Sequence, residues 1–185
     1  MIDKNIKAII FAGIIILIHG CGGSGGDSGL TTSPSKMITF RSSTLGDKTV
    51  NMVQNSSISN GDTLAIDVLV NNLSNVYGAG FDVDFDPSKL IYAGYVAGSF
   101  LEKSGDTVNY IITTQTGNSG KLIAGISRLG SVGGVSGNGK IVTLKFKVVA
   151  SGSTSLSFSN NVLMDAANLS IPGLTWNSGL ATIFF

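Results

Sequence analysis

In the middle of the chain, Phe81, Val83 and Phe85 alternate strictly with Asp82 and Asp84, and Asp86-Pro87 follows at once. A helix would scatter these apolar groups around its circumference, whereas a strand, with its side-chain period of two, turns all three rings and methyls to one side. The segment therefore reads as a strand with one face on a core and the carboxylates facing water. Pro87 cannot donate to a ladder and presets its own φ for a turn, and Asp86 can accept from the backbone beyond it. Leu90 then restarts the apolar pattern. A chain built around this stretch needs a sheet and a hydrophobic layer beneath it.

The same parity recurs elsewhere. Leu64, Ile66, Val68 and Val70 alternate with Ala65, Asp67, Leu69 and Asn71, after the turn residues Asn60-Gly61-Asp62. Val142, Leu144, Phe146 and Val148 form a second inward set, with Thr143, Lys145 and Lys147 outward. Leu122, Ala124 and Ile126, then Leu156 and Phe158, supply further inward positions. Thr107 to Thr116 is rich in β-branched residues but alternates poorly, as in a strand whose outward face is covered or used for contact. Turn chemistry falls between the runs at Gly105-Asp106, Gly117-Asn118-Ser119-Gly120, Gly137-Asn138-Gly139 and Ser151-Gly152. Gly98 to Lys103 is expected to make one helical turn. Only 12% of residues are charged, 25 are glycine, and no long helical period occurs. Short, evenly spaced strands of this composition predict an all-β antiparallel sandwich.

The order F-x-V-x-F-D-P-x-x-L at Phe81 to Leu90, with K-x-x-x-L-x-F-x-V at Lys140 to Val148, resembles bacterial cohesin domains. The resemblance covers roughly Thr49 to Phe185. It implies a single cohesin-like jelly-roll sandwich of about nine strands over residues 37–185, and a noncatalytic module that grips the helices of a dockerin with a flat sheet face. Its outward residues there are expected to be Gly78, Gly80, Asp82 and Asp84, with Ile123 and Ser155 on the same face. In cellulosomal cohesins of the first type an Asn and an Asp on this strand meet the dockerin, and alignment on the D-P pair places them at Gly78 and Gly80. Glycine in a strand forgoes packing, so the two mark either close approach of a partner backbone or a bulge in the sheet.

The N-terminal residues read separately from this domain. Lys4 and Lys7 precede an apolar run from Ala8 to Ile18, and Ile18-His19-Gly20-Cys21 follows, which is the order of an export signal. The run is short for a bilayer span. Its end resembles the lipobox of bacterial lipoproteins, although His19 departs from the usual small or hydroxyl residue; the resemblance implies cleavage after residue 20 and lipidation of Cys21. Cys21 is the only cysteine, so it has no internal disulfide partner. Residues 21–36 are Gly/Ser/Thr-rich and read as a flexible tether. Gly22 in place of Asp after the cysteine favours outer-membrane or cell-surface placement.

Charge and side-chain inventory exclude several function classes. From Cys21 onward ten Lys/Arg (12 less Lys4 and Lys7) balance ten Asp/Glu (11 less Asp3), so no net charge draws the domain to nucleic acid. The only histidine is His19, and Glu102 is the only glutamate, which leaves no ordinary general base or thiol nucleophile for catalysis. Asp82 and Asp84, at i and i+2, lie roughly 7 Å apart on one face, but a solvated pair has nothing to separate its pKa values. Asp82, Asp84 and Asp86 offer oxygens to a hard cation, yet no D-x-D-x-D-G loop with a closing Glu follows. Gly134 to Lys140 imitates a phosphate loop, but Ile141 replaces the Ser/Thr and a strand follows, so it is expected to be a hairpin turn. No cofactor is implied. Polysaccharide is the alternative ligand, which needs exposed aromatics in a plane, drawn from Trp176, Tyr77, Tyr92, Tyr95 and Tyr110.

Overall fold

The computed structural model describes residues 35–43, 46–103, 105–116 and 119–185. The export signal, Cys21 and most of the tether lie outside these residues, as does part of the expected turn at residues 117–120. Among the described residues there are ten strands: β1 Met37–Ser42, β2 Thr49–Gln54, β3 Thr63–Asp84, β4 Leu90–Ala97, β5 Val108–Thr114, β6 Lys121–Arg128, β7 Val135–Val148, β8 Gly152–Asp165, β9 Thr175–Asn177 and β10 Gly179–Phe184.

The organising element is β3, a strand of 22 residues that belongs to both layers of a sandwich. Its first part, Thr63 to Val70, lies between β2 and β7, and its last part, Gly78 to Asp84, lies between β6 and β8. The back layer therefore runs β9-β2-β3-β7-β4 and the front layer β5-β6-β3-β8-β10-β1. The change of layer happens where the β3–β7 register slips, between Val70 and Leu73 and again before Val76. Asn72 and Asn75 take left-handed φ values of 48° and 58° there. Asparagine tolerates that region better than other side-chain-bearing residues. The backbone groups released by the slips are still satisfied: Asn72 N donates to Asn138 Oδ1 at 2.6 Å, and Asn75 N to Ser136 Oγ at 3.0 Å.

The inward sets read from sequence meet in one core. Leu64, Ile66, Val68, Phe81, Val83, Leu122, Leu144, Phe146 and Leu156 are buried in it. Aromatic pairs tie the two layers, Phe85 to Phe146 with ring centres at 5.2 Å and Phe81 to Trp176 at 6.0 Å. The sandwich is as expected from the alternation. Its strands number ten and one pair, β2 with β9, is parallel.

Three local expectations are corrected. Gly98 to Lys103 forms bends and a turn without a helix, and drives Phe100 and Leu101 into the core while Phe100 N bonds Lys140 O at 2.9 Å. Gly137-Asn138-Gly139 is no hairpin turn but lies inside β7, opposite the layer change of β3. Gly137, at φ 114°, lets β7 follow that bend, which a side-chain-bearing residue resists. Asp82 and Asp84 point outward but are less solvated than their parity suggests, for a reason that lies in their neighbours.

Candidate functional site

The outer face of the front layer can be built row by row from the strand registers. Gly78 pairs with Ser127 on β6 and Met164 on β8, and Gly80 with Gly125 and Val162. Asp82 pairs with Ile123 and Ser159, and Asp84 with Lys121 and Ser157. Beyond β6, Asn109, Ile111 and Thr113 of β5 continue the first three rows opposite Ser127, Gly125 and Ile123. All six residues expected on one face are thus on one face. Ser155 stands at its margin, exposed, two residues beyond Ser157 and opposite Leu180 of β10.

Why the sequence presents this surface follows from parity on each strand. Leu122, Ala124 and Ile126 fix the inward side of β6 and so send Lys121, Ile123, Gly125 and Ser127 outward. On β8 the pairing slips between Gly80 and Asp82, because Ser159 to Val162 spends one residue more than β3 does. Asn160 sits at that bulge with φ 47°. On the β6 side the register is unbroken from Gly78 to Asp84, and neither glycine has a positive φ. The bulge expected as one reason for the glycines therefore does fall beside them: between Gly80 and Asp82 the extra residue belongs to β8, and between Val76 and Gly78 it is Tyr77 of β3 itself. Neither position needs a left-handed backbone.

Two regions make up the face. In the first, a hydrophobic groove of about 360 Å³ has Gly78, Gly80 and Gly125 as its floor and Ile111, Val162 and Met164 on its sides. Ile111 is 63% exposed and Ile123, just beyond, 42%. A methyl group added at Gly125 would meet nothing within 4 Å, and one at Gly80 only Val162 Cγ1 at 3.4 Å. Gly78 is tighter, with Ile126 O at 3.1 Å.

The second region is a charge cluster. Lys121 Nζ lies 2.5 Å from Asp84 and 3.5 Å from Asp82, Asn160 Nδ2 donates to Asp82 at 2.7 Å, and Ser159 Oγ donates to Asp84. Asp82 is only 8% exposed as a result. This corrects the expectation of a solvated pair: β3 is central in its layer, and side chains of β6 and β8 fold over its carboxylates. Burial alone would raise the Asp84 carboxyl, but hydrogen bonds from Lys121 and Ser159 and the ammonium charge outweigh it and hold Asp84 below its ordinary range. Lys121 is held above its ordinary value, chiefly by its hydrogen bond to Asp84. Such a cluster favours the ionised form of Asp84, the opposite of what a general acid needs.

The third acid, Asp86, is committed to its turn. It accepts from Ser88 N at 2.9 Å, Ser88 Oγ at 2.6 Å and Lys89 Nζ at 2.6 Å. Among the described residues no group of three or more His, Cys, Asp or Glu could hold a metal ion. Among the described residues the aromatic side chains form no flat strip. Trp176 packs edge-on against Phe158 at 4.9 Å, Tyr92 against Phe146 at 6.1 Å, and Tyr95 stacks on Tyr110 at 5.5 Å. Tyr77 donates its hydroxyl to Gly130 O at 2.8 Å.

Sequence reasoning missed Gly125, Lys121, Ile111 and Val162. Gly125 and Lys121 share the parity of Ile123 and were within reach of the same argument. Ile111 and Val162 come to the site through cross-strand register, which alternation along one strand does not contain.

Comparison with solved structures returns cohesins. A type II cohesin–X–dockerin complex from Acetivibrio cellulolyticus matches with TM-score 0.57 at 16% identity, over 69% of this chain and 92% of that one. A type II cohesin dyad from the adaptor scaffoldin ScaA of the same organism matches with TM-score 0.59 at 17% identity, over 70% of this chain and 46% of that one. A type II cohesin from its cellulosome matches with TM-score 0.53 at 15% identity, over 79% and 95%. At these identities the likeness is one of fold. No curated protein matches. The family model for the cohesin domain matches residues 49–183, most of the chain and both layers of the sandwich, and the chain accordingly belongs to the cohesin domain family.

Proposed function

We propose that this chain is an exported lipoprotein, held in a membrane by acyl groups on Cys21, whose cohesin domain binds a protein partner without catalysing a reaction. The partner class is a dockerin-type helical module. A cohesin bound to a dockerin in Acetivibrio cellulolyticus supports that class. The observation that carries the reading is the front face itself: a groove lined by no charged residue and floored by glycines without a positive φ, beside carboxylates that share the Lys121 ammonium. A surface of this kind offers apolar contact without a desolvated unpaired charge, which suits protein docking. Placement in the outer membrane or at the cell surface belongs to the same proposal and rests on Gly22 following Cys21.

Calorimetric titration of the full chain against dockerin modules tests the binding claim. Binding is expected, and a calcium chelator is expected to abolish it, because the calcium loops belong to the dockerin. Binding to a soluble glucan that survives chelator and is competed by free sugar would overturn the proposal in favour of polysaccharide recognition.

A further inference from the structure

Resting on that reading of the front face, we propose that the hollow over Gly80 and Gly125 receives one bulky, uncharged aliphatic side chain from a helix of the partner, and that Gly125 is the residue that admits it. The row across the sheet reads Ile111, Gly125, Gly80, Val162. Two adjacent positions are bare and both flanking ones are branched and apolar. At about 4.8 Å per strand, the flanking residues stand about 14 Å apart. A helix with its side chains is about 10–12 Å across, so it lies between them with one residue pointing at the floor.

Three observations set the chemistry of that residue. The glycines have no positive φ, and a methyl at Gly125 meets nothing, so the empty volume above them is what distinguishes these positions from any other strand residue. The sides of the hollow are Ile111, Val162 and Met164, with Ser127, Asn109 and Asn168 as its polar border. No charged residue lines it. A charged side chain entering here would lose water and gain no counter-ion. A Leu- or Met-sized group fills the space and covers the exposed flank of Ile111.

The test has two arms on the full chain. In the first, lactam-bridged alanine helices carrying a single central Leu, Thr or Lys are titrated while the amide signals of Gly78, Gly80 and Gly125 are followed by NMR. The Leu peptide is expected to move these signals and the Lys peptide to leave them in place. Equal responses to all three, or none to Leu, would overturn the proposal. In the second arm a dockerin module that binds the unaltered chain is titrated against Gly125→Val and Ile123→Arg. Gly125→Val is expected to weaken binding by about tenfold or more while the denaturant midpoint holds or rises, because valine suits a strand better than glycine and its site is open. Unchanged dockerin affinity in Gly125→Val, with loss in Ile123→Arg, removes the hollow and keeps the face. A response to the Leu peptide in a chain that binds no dockerin keeps the hollow and removes the partner class. A fall in the midpoint of Gly125→Val would mean that the volume is not free, and would also overturn the proposal.

Discussion

Asp86 ends the strand that gives the domain its pattern, and its carboxyl is pulled down to about 2 by hydrogen bonds from Lys89 and Ser88. Because the folded value lies below the ordinary 3.8, the group stabilises the fold above that ordinary value, and the contribution is lost as pH falls through the folded one. The window is therefore between about pH 4 and pH 2. Asp84, also lowered, acts with the same sign, whereas raised Lys121 contributes below its ordinary value and loses that contribution at strongly alkaline pH. Urea midpoints measured from pH 5 to pH 2 should fall, and Asp86→Asn should flatten the descent. An unaltered slope in that variant would show the Ser88 and Lys89 bonds to be idle. At this scale the sequence was readable where a residue acts on its own neighbours: Asp86-Pro87 said turn, and the bonds to Ser88 and Lys89 make one. Asp82 was not readable, since its low exposure comes from Lys121 and Asn160, 39 and 78 residues further on.

The parity of β3 carries an energetic asymmetry that can be measured. Phe85, the residue just after β3, is 8% exposed and packs edge-on against Phe146 across the core, while Asp84, the last residue of β3, faces outward. Phe85→Ala is expected to cost about 3–5 kcal/mol in denaturant unfolding, and Asp84→Ala under about 1 kcal/mol, as for other partly exposed ion pairs. Equal losses would contradict the assignment of faces. Alternation identified both ends of β3 but presented them as two strands, because Asn72 and Asn75 interrupt the period at the change of layer. The same interruption misled at Gly137-Asn138-Gly139. Those residues have the composition of a turn, and Gly137 among them meets the demand for a positive φ at a bend of β7 instead. Local chemistry specified the conformation there; only the partner strand specified that the chain continues. The front face was legible to the same extent, with Gly78, Gly80, Asp82, Asp84 and Ile123 assembled as expected and the groove's sides supplied by register.

For the whole molecule, the proposed anchor at Cys21 makes a direct prediction: Cys21→Ser should release the protein from the membrane fraction, and unchanged sedimentation with membranes would refute lipidation. Two acyl chains suffice for stable attachment where one does not. The domain begins at β1, whose first residue Met37 pairs with Phe184 near the end of β10, and whose backbone is further held by Gln54 through Phe40 N at 2.9 Å and Ile38 O at 3.3 Å. This corner has a mechanical meaning. A pull applied to Met37 along the axis of β1 strains the register from Met37–Phe184 to Ser42–Gly179 all at once, in shear, and does not peel it open pair by pair. The groove lies inward of β1, beyond β10, with β8 as its near side. Resistance to such a pull is set by the rate at which that outer strand gives way and not by equilibrium stability. With the proposed anchor at Cys21, load entering through the tether therefore meets β1 before any strand of the groove.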